Sequence, residues 1–382
     1  MVKVAHIITR LDFGGAQANT LYTASALDRA RFDALILSGP GGLLESKAEA
    51  GRLIPVRCLA REIDPFKDTA AFFELSALLR GMGAAIVHTH SSKAGILGRL
   101  AAAAAGVPVI VHTFHGFGFH PRQNFFKRRT YILLEKICAR FTDALVFVSR
   151  SNMRTALEAG IGSPEKYRLI RSGVKLSGYP AVVDRPAKRE ELGLSTGDTV
   201  VLSIGNAKPQ KNPWHFLEAA ARLSPLHPSA RFVFVGGGEQ LEKLRAAARD
   251  RGLEKTCLFT GWRKDSAELL AASDIFVLTS LWEGLPRSLV EAFKTGLPAV
   301  CYSTDGVTDI LKDGVNGFCP GQGNLDAFCS ALSSLLGDPE LRRRLAAGAA
   351  ATDLREFEID YMVKQQEELY EELLSPGKRT KK

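Results

Sequence analysis

The residues best suited to chemistry are two glutamates, Glu283 and Glu291, separated by seven residues. An apolar run at 274–279 predicts a buried strand before them, so Glu283 falls in the loop that follows a strand. A carboxylate at position 291 can accept both hydrogens of a ribose diol, and Glu283 can grip or polarise a sugar. The structural alternative is that Glu283 caps a helix and Glu291 lies on a solvated helix face.

The residues Leu285-Pro286-Arg287 between these glutamates predict the beginning of a helix, because proline is favoured in a first helical turn. Backbone N–H groups at a helix N-terminus lack intrahelical partners and bind hydroxyl or phosphate oxygens. We therefore predict that this turn binds substrate.

A second loop carries Asn206, Lys208 and Lys211 between a strand ending at Gly205 and a helix beginning near Pro213. An ammonium group and a helix N-terminus could together hold a diphosphate. The alternative for Lys211 is an ordinary surface lysine.

Two glycine turns also follow predicted strands. Gly237 is the centre of three consecutive glycines, and Gly14-Gly15 opens a helix after the first strand. Glycine lets the backbone approach a ligand closely, so both turns are candidate substrate contacts. The run at 236–238 lacks the G-x-G-x-x-G spacing of dinucleotide-binding proteins. A tight turn without a ligand is its structural alternative.

Histidines mark the ends of two more strands. His88 and His90 form an H-x-H pair that could bind zinc, yet no third ligand is suitably spaced and the chain has no Asp-x-Asp. The sequence thus predicts neither a metal nor another cofactor. His115 precedes a glycine at the end of the next strand and is a candidate hydrogen-bond donor to a reacting sugar, with a structural histidine as the alternative.

The elements that must position these residues alternate between strand and helix, which predicts an α/β fold with two doubly wound parallel sheets. Strands are expected at 2–8, 33–38, 54–59, 84–90, 108–113 and 143–148, and again at 199–205, 231–235, 257–260, 274–279 and 299–302. A Gly- and Pro-rich stretch at 173–188 separates them. The predicted domains are 1–175 and 190–354, followed by an acidic helix at 355–373.

Charge is unevenly distributed along the chain. Residues 1–175 carry 24 Lys and Arg and 13 Asp and Glu, and a basic tail includes Lys378, Arg379, Lys381 and Lys382, which we expect to be disordered. No nucleic-acid-binding signature accompanies this charge, so a phosphorylated substrate or an anionic membrane surface is the expected partner.

The segment 125–137 is amphipathic, with an apolar stripe at 126, 133, 137 and 141 and a basic opposite face. It is either a helix packed on its own sheet or an interfacial helix that meets anionic lipid. No leader peptide, membrane span or C-x-x-C is recognisable, and the six scattered cysteines are typical of reduced core residues. We expect a cytoplasmic protein, with a peripheral membrane contact at the inner face of the plasma membrane as a further option.

These segments together resemble glycosyltransferase family 4 over almost the whole chain. The resemblance rests on Gly14-Gly15-Ala16-Gln17, the segment 88–99, the His115-Gly116 turn and the Glu283…Glu291 spacing. It implies a GT-B fold whose two domains face each other across a cleft, and a retaining, metal-independent sugar transfer. It also implies that the second domain binds the nucleotide sugar, the first binds the acceptor, and the final helix crosses back to the first domain.

Two positions depart from the family pattern. Asn206 stands where the family commonly has arginine, with Lys208 as a substitute charge nearby. Asp309, in the run 305–309, stands where the family commonly has glutamate.

The sequence thus predicts transfer of a hexose or N-acetylhexosamine from a nucleotide-diphosphate sugar, first of all a UDP-sugar, to a lipid-linked saccharide in surface polysaccharide synthesis. The assigned catalytic residues are His115, Lys211 and Glu283. A nucleotide-sugar 2-epimerase of the same fold and a non-catalytic nucleotide-sugar sensor are the alternatives.

Overall fold

The computed structural model describes residues 1–120, 123–179 and 183–375. The chain forms two compact units: the first contains Met1–Gly173 and the segment from Glu356 onward, and the second contains Val174–Arg355. The predicted basic tail at 378–382 lies outside the described residues, as does part of the predicted linker.

The first unit is built on a seven-stranded parallel sheet with the order β3-β2-β1-β4-β5-β6-β7. Its strands are β1 (Val2–Arg10), β2 (Phe32–Gly39), β3 (Leu53–Pro55), β4 (Ile86–His90), β5 (Val109–Phe114), β6 (Ala144–Phe147) and β7 (Tyr167–Leu169). Its helices are α1 (Gly15–Ala26), α2 (Pro65–Met82), α3 (Ser92–Ala105), α4 (Phe125–Arg140) and α5 (Arg150–Ala159), joined by α14 (Ile359–Leu374) from the chain end.

The second unit repeats this plan with a six-stranded parallel sheet of order β10-β9-β8-β11-β12-β13. Its strands are β8 (Thr199–Ile204), β9 (Ala230–Val235), β10 (Cys257–Gly261), β11 (Ile275–Leu278), β12 (Ala299–Cys301) and β13 (Gly317–Phe318). Its helices are α6 (Arg185–Glu191), α7 (Pro213–Leu223), α8 (Leu241–Asp250), α9 (Ser266–Ala272), α10 (Arg287–Lys294), α11 (Val307–Ile310), α12 (Leu325–Gly337) and α13 (Pro339–Ala350).

The predicted fold class of two doubly wound parallel sheets is confirmed. The central strands β1 and β8 are buried over most of their length because helices cover parallel sheets on both sides; their buried residues are apolar except for His6 and Ser203. The short edge strands β7 and β13 lack a long apolar run, and sequence reasoning missed both. Helix α6 begins at Arg185, inside the stretch expected to be an irregular linker.

Helix α14 packs on the first sheet, where Met362, Val363 and Tyr370 join a buried cluster with Val4 and Phe32. It also makes polar contacts with this unit. For example, the hydroxyl of Tyr370 lies 2.6 Å from His88 Nδ1. The acidic helix expected at 355–373 is therefore part of the first unit's core.

The orientation of the amphipathic helix α4 contradicts one of the two interpretations that the sequence left open. The stripe residues Phe126, Leu133 and Ile137 are exposed, by 78, 57 and 39% respectively. The helix instead buries Glu135 and its neighbours Cys138 and Ala139, and Glu135 forms an ion pair with buried Arg99. The interpretation that the stripe packs on the sheet is wrong for these three residues.

All six cysteines are free thiols; four are buried, and Cys58 and Cys319 are partly buried. In the part of the chain that the structure describes, no helix combines the length and apolar character that crossing a bilayer requires.

Candidate active site

The second unit gathers its chemistry at the reversal point of its sheet. Ligands of open parallel sheets bind outside the carboxyl ends of the strands, where the strand order reverses. In this sheet that point lies between β8 and β11. The loop after β8 carries Lys211, and the loop after β11 carries Glu283.

These two loops are joined directly. Lys211 Nζ forms an ion pair with Glu283 Oε1, and the two side chains are only 17 and 6% exposed. The Leu281 N–H donates to the Gln210 carbonyl at 2.8 Å, and the Gln210 amide donates to the Trp282 carbonyl at 2.8 Å. The structure thus brings together two residues that the sequence places 72 positions apart.

Asp305 supports Glu283 from a third loop. Its Oδ2 accepts the backbone N–H of Glu283 at 2.7 Å. Burial, and to a smaller extent the charge of Glu283, raises the pKa of Asp305 to about 6, although the N–H bond acts in the opposite direction. In the run 305–309, Asp309 is the residue that stands at the family's glutamate position, and the structure places it on α11; the residue that contacts Glu283 is Asp305.

Helix α10 begins at Arg287, with Pro286 at the N-cap position and Leu285 buried before it. Leu289 N–H bonds to the Pro286 carbonyl, so the turn closes on itself. Arg287 Nε is buried and has no hydrogen-bond partner among the described residues. An unsatisfied buried donor of this kind is costly unless a ligand or water meets it.

Glu291 lies one turn further along α10 and is not a solvated residue of an exposed face. It is partly buried, and burial raises the pKa of its carboxyl; the charge of Arg287 and a hydrogen bond from the Tyr179 hydroxyl oppose this shift. Burial and the nearby Glu291 raise the pKa of Tyr179. Sequence reasoning missed Tyr179, because a lone tyrosine in a Gly- and Pro-rich stretch has no pattern that would mark it.

The glycines at 236–238, which follow β9, allow other residues to approach their backbone closely. At Gly236, where φ is +145°, a Cβ atom would lie 1.8 Å from the Gly205 carbonyl oxygen. A Cβ at Gly237 would lie 2.4 Å from Nε1 of Trp262, whose side chain is 50% exposed. The glycines thus allow two loops and an exposed indole to meet at one edge. Trp262 was not foreseen, although a tryptophan directly after a strand-terminal glycine is a usable signal.

Asn206 and Lys208 lie in the turn between Gly205 and the 3-10 turn Pro209–Lys211. The Asn206 carbonyl accepts the N–H of Lys208 at 2.8 Å, and the Ala207 N–H donates to the Gly237 carbonyl at 2.7 Å. Both side chains are partly buried at the same edge as Lys211.

In the first unit, the order of strands reverses between β1 and β4. Gly14 is the N-cap of α1, and Gly15 begins it, directly after β1. His115 follows β5, and its Nε2 lies 3.2 Å from Nδ1 of His90 at the end of β4. These predicted residues therefore occupy the carboxyl edge of the first sheet.

The expectation that no third ligand is placed to complete a set with the H-x-H pair is wrong. His6 of β1 lies beside His88 and His90, with one ring nitrogen of each within 4.8 Å of the others. Strands β1 and β4 pair in parallel with His6 opposite His88. The spacing of residues in the sequence does not reveal that these two histidines are neighbours. Both nitrogens of His88 are hydrogen-bonded, to Tyr370 and Thr113, and both nitrogens of His90 bond to histidines, so a hydrogen-bonded network describes the cluster better than a set of metal ligands.

Comparisons with known proteins bear on both units. A model of the Glycosyl transferase 4-like domain matches residues 14–173, and a model of Glycosyl transferases group 1 matches residues 184–352. A UDP-Gal:alpha-D-GlcNAc-diphosphoundecaprenol alpha-1,3-galactosyltransferase of Escherichia coli is 36% identical over 345 residues, which is 89% of each chain. The chain belongs to glycosyltransferase family 4. An N,N'-diacetylbacillosaminyl-diphospho-undecaprenol alpha-1,3-N-acetylgalactosaminyltransferase of Campylobacter jejuni is 27% identical over 82% of this transferase and 83% of its own length.

Solved structures give the fold. HepE of Anabaena, solved with UDP-glucose, superposes with a TM-score of 0.82 at 22% identity and covers 97% of this chain and all of its own. Sucrose-phosphate synthase of Thermosynechococcus elongatus superposes with a TM-score of 0.84 at 18% identity over 98% of this chain and 99% of its own. The transferase has the GT-B fold, and its class of enzyme is hexosyltransferase.

Proposed function

We propose that this transferase moves a hexose, with galactose as the first candidate, from a UDP-sugar to the sugar of a polyprenyl-diphosphate-linked acceptor, with retention of configuration. The donor and acceptor are suggested by the names of the Escherichia coli and Campylobacter jejuni relatives, which align over most of their length. The structural observation that carries the proposal is the joined pair of loops bearing Lys211 and Glu283 at the reversal point of the second sheet.

We assign the donor to the carboxyl edge of the second sheet. Lys211 and the N-terminus of α10 would neutralise the diphosphate, which needs a cation and N–H donors. Glu291 would exchange its bond with Tyr179 for bonds to the ribose diol, since a carboxylate can accept two hydroxyls. The exposed indole of Trp262 would offer a stacking surface to the base.

The reaction breaks the bond between the anomeric carbon and the diphosphate oxygen, and forms a bond from that carbon to the acceptor hydroxyl oxygen. The acceptor proton passes to the departing diphosphate, so UDP leaves and charge is conserved. Charge grows on the diphosphate as the bond breaks, and the preorganised Lys211 ammonium stabilises it. Glu283, which Lys211 and the Asp305 contact hold in place, would bind hydroxyls of the transferred sugar.

We assign the acceptor to the first unit. Gly14 and Gly15 would supply backbone N–H groups at the start of α1, and His115 would donate a hydrogen bond to the reacting sugar. A neutral donor suits this role because the neighbouring buried histidines are themselves neutral: burial lowers the pKa of His6 to about 4 and those of His88 and His90 well below the usual value.

The donor and the stereochemistry are tested by incubating the protein with UDP-galactose, UDP-glucose, UDP-N-acetylgalactosamine and GDP-mannose, together with a synthetic N-acetylglucosaminyl diphosphate lipid. We expect a disaccharide product from a UDP-hexose only, with an α-anomeric proton in the NMR spectrum. A β-linked product would contradict retention. Interconversion of the donor without any product would identify an epimerase, and donor binding without turnover on any acceptor would identify a sensor.

A lipid-linked acceptor requires the first unit to reach a membrane surface, and we assign this contact to an aromatic–basic surface. We define it as the exposed residues at the N-terminal ends of α2 and α4, together with the exposed stripe of α4. Its apolar members are Phe66, Phe125, Phe126, Leu133 and Ile137, and its cations are Lys67, Lys127, Arg128 and Arg129.

Helix α3 contacts both α2 and α4. The N-termini of helices that follow parallel strands lie at the same edge of the sheet, so their exposed aromatics share that edge. Phe66 is 90% exposed, and the guanidinium of Arg129 lies 4.9 Å from the ring centre of Phe125. Aromatic side chains surrounded by cations are typical of surfaces that insert into anionic interfaces.

Flotation with vesicles that contain phosphatidylglycerol tests this surface. We expect Leu133→Ser combined with Phe126→Ser to reduce bound protein several-fold at low salt, because each buried apolar side chain adds to the partition free energy. The control is Leu226→Ser, which changes an exposed leucine (69%) of the second unit. If wild-type protein does not float at low salt, or if the two variants behave alike, the membrane assignment fails while the donor assignment stands.

A further inference from the structure

A chain of hydrogen-bonded imidazoles runs from His115 into the core of the first unit. His115 Nε2 lies 3.2 Å from His90 Nδ1, and His90 Nε2 lies 3.1 Å from His6 Nδ1. His6 ends the chain: it is fully buried, and its Nε2 has no hydrogen-bond partner among the described residues. The His6 and His90 rings are stacked, with an interplanar angle of 16°.

Each imidazole in this chain carries one hydrogen when neutral, and this couples the three tautomers. A neutral histidine has one N–H donor and one acceptor nitrogen. In every link one nitrogen must donate and the other accept, so fixing the hydrogen of one ring fixes the other two. Only two arrangements satisfy both links.

In the first arrangement every ring carries its hydrogen on Nε2. His115 then donates to His90, His90 donates to His6, and His6 is left with a buried N–H that has no acceptor. In the second arrangement every ring carries its hydrogen on Nδ1. His6 then donates to His90, His90 donates to His115, and the unpartnered His6 Nε2 is only a lone pair.

The second arrangement is favoured because buried N–H groups without an acceptor are rarer in folded proteins than buried acceptors without a donor. A buried N–H group without an acceptor has lost its hydrogen bonds to water and gained none in return. The hydrogen of His115 is then on Nδ1, the nitrogen that is not bonded to His90. In water this is the less populated tautomer of a free histidine, and the hydrogen bond from His90 favours it here.

We propose that His6 and His90 are positioning residues that fix His115 in the Nδ1–H tautomer, with Nε2 as an acceptor. The consequence for catalysis rests on the proposed role of His115 as a donor to the reacting sugar. The tautomer itself does not, because it is argued from the two hydrogen bonds among the imidazoles and from the unpartnered Nε2 of His6.

The test is long-range 1H–15N NMR of the full-length protein labelled with 15N-histidine, with the His115 signals assigned from a His115→Gln variant. We expect the Nδ1 of His115 to have the shift of a protonated nitrogen and its Nε2 the shift of an unprotonated one. A protonated Nε2 in the wild-type protein would overturn the proposal, whatever its activity.

Variants test the coupling. His90→Leu removes both links, and we expect His115 to return to the Nε2–H form and kcat to fall at least tenfold with little change in the KM for the donor. His6→Asn keeps an amide N–H at the Nδ1 position, so we expect the wild-type tautomer. Unchanged His115 signals in a folded His90→Leu protein would overturn the coupling.

The control is His112→Asn, which changes a buried histidine outside the chain and keeps an amide at the position bonded to Thr89. We expect no change in the His115 signals. Should the wild-type tautomer be as expected while His115→Gln retains full activity, the tautomer assignment stands and the catalytic role of His115 falls. The two failures are therefore distinguishable.

Discussion

The carboxyl edges of the two sheets have the same strand plan and opposite chemistry. The first edge carries neutral imidazoles that bond mainly to one another, and burial keeps the pKa values of His6, His88 and His90 low. The second carries charges: Lys211 paired with Glu283, and the nearby carboxylates of Asp305 and Glu291. A shared strand order therefore positions the sites but does not decide what they bind.

The difference fits the two substrates that we propose. A diphosphate needs formal positive charge and N–H donors, which the second edge supplies. A neutral sugar hydroxyl needs a directed donor of fixed tautomer, which a network of uncharged rings can provide. Substitutions that remove a charge or a hydrogen bond should therefore have different effects at the two edges.

The largest effect is expected for Lys211→Ala. Loss of the ammonium that meets growing charge on the leaving group should lower kcat/KM by about 10²- to 10³-fold. Steady-state kinetics with the preferred UDP-sugar measure this. Lys208→Ala, in the same turn, is the control and should lose much less. Turnover of Lys211→Ala within a few-fold of wild type would remove Lys211 from the mechanism.

Asp305→Asn tests whether the negative charge of Asp305, at the second edge, lowers the free energy of unfolding. The pKa of Asp305 is raised to about 6 from an ordinary 3.8, so between these pH values the folded chain holds a proton that the unfolded chain has released. Stability contributed by this residue is therefore lost as pH rises from about 4 to 6. Asparagine retains an acceptor for the Glu283 N–H, and above pH 7 we expect it to raise the free energy of unfolding by about 2–3 kcal/mol.

Urea denaturation of the wild-type and Asp305→Asn proteins at pH 4, 6 and 8 provides the measurement. The gain should be near zero at pH 4 and greatest at pH 8. An equal gain at all three pH values would show that the charge of Asp305 is not its source.

Tyr370→Phe probes the neutral edge. It removes the hydroxyl bonded to His88 Nδ1 and leaves that buried nitrogen unpaired, so we expect a loss of about 1–2 kcal/mol in the free energy of unfolding. Tyr361→Phe, on the same helix but 44% exposed, serves as the control and should be neutral. Equal stability of the two variants would mean that the contact contributes nothing.

The smallest effect is expected for Tyr179→Phe. The tyrosine hydroxyl lowers the pKa of the Glu291 carboxyl, so its removal should raise that pKa further. UDP binding through ionised Glu291 would then begin to weaken at a higher pH than in the wild-type protein, as the pH falls. Calorimetric titration with UDP from pH 5 to pH 8 measures the pH at which UDP affinity falls on the acid side. If that pH is the same in Tyr179→Phe and wild type, Tyr179 has no influence on UDP binding through Glu291.

The sequence was sufficient for the central strands of both sheets and for the loop and helix that carry Glu283 and Glu291. Apolar runs located the central strands, and the spacing of Glu283 and Glu291 predicted the loop and helix that carry them. These signals are local, because strand, loop and helix follow one another in the chain. The edge strands β7 and β13 were missed because neither lies in a long apolar run; they have three and two residues.

The remaining features depend on contacts between distant segments. His6 meets His90 across 84 positions through strand pairing, and Tyr179 reaches Glu291 from the segment before α6. Helical periodicity in α4 identified an apolar stripe but not which face the rest of the unit would cover. In the structure the opposite side of α4 is buried, and Glu135 on that side pairs with Arg99.

Helix α14 gives the molecule an unusual order of assembly. The second unit is complete by Arg355, whereas the first still lacks the apolar face formed by Ile359, Met362 and Tyr370. During synthesis, the first unit therefore cannot complete its core until α14 has been made. The second unit can fold before that point. A chain that ends before α14 would thus contain a complete second unit and a first unit whose apolar residues Val4 and Phe32 lack the cover of α14.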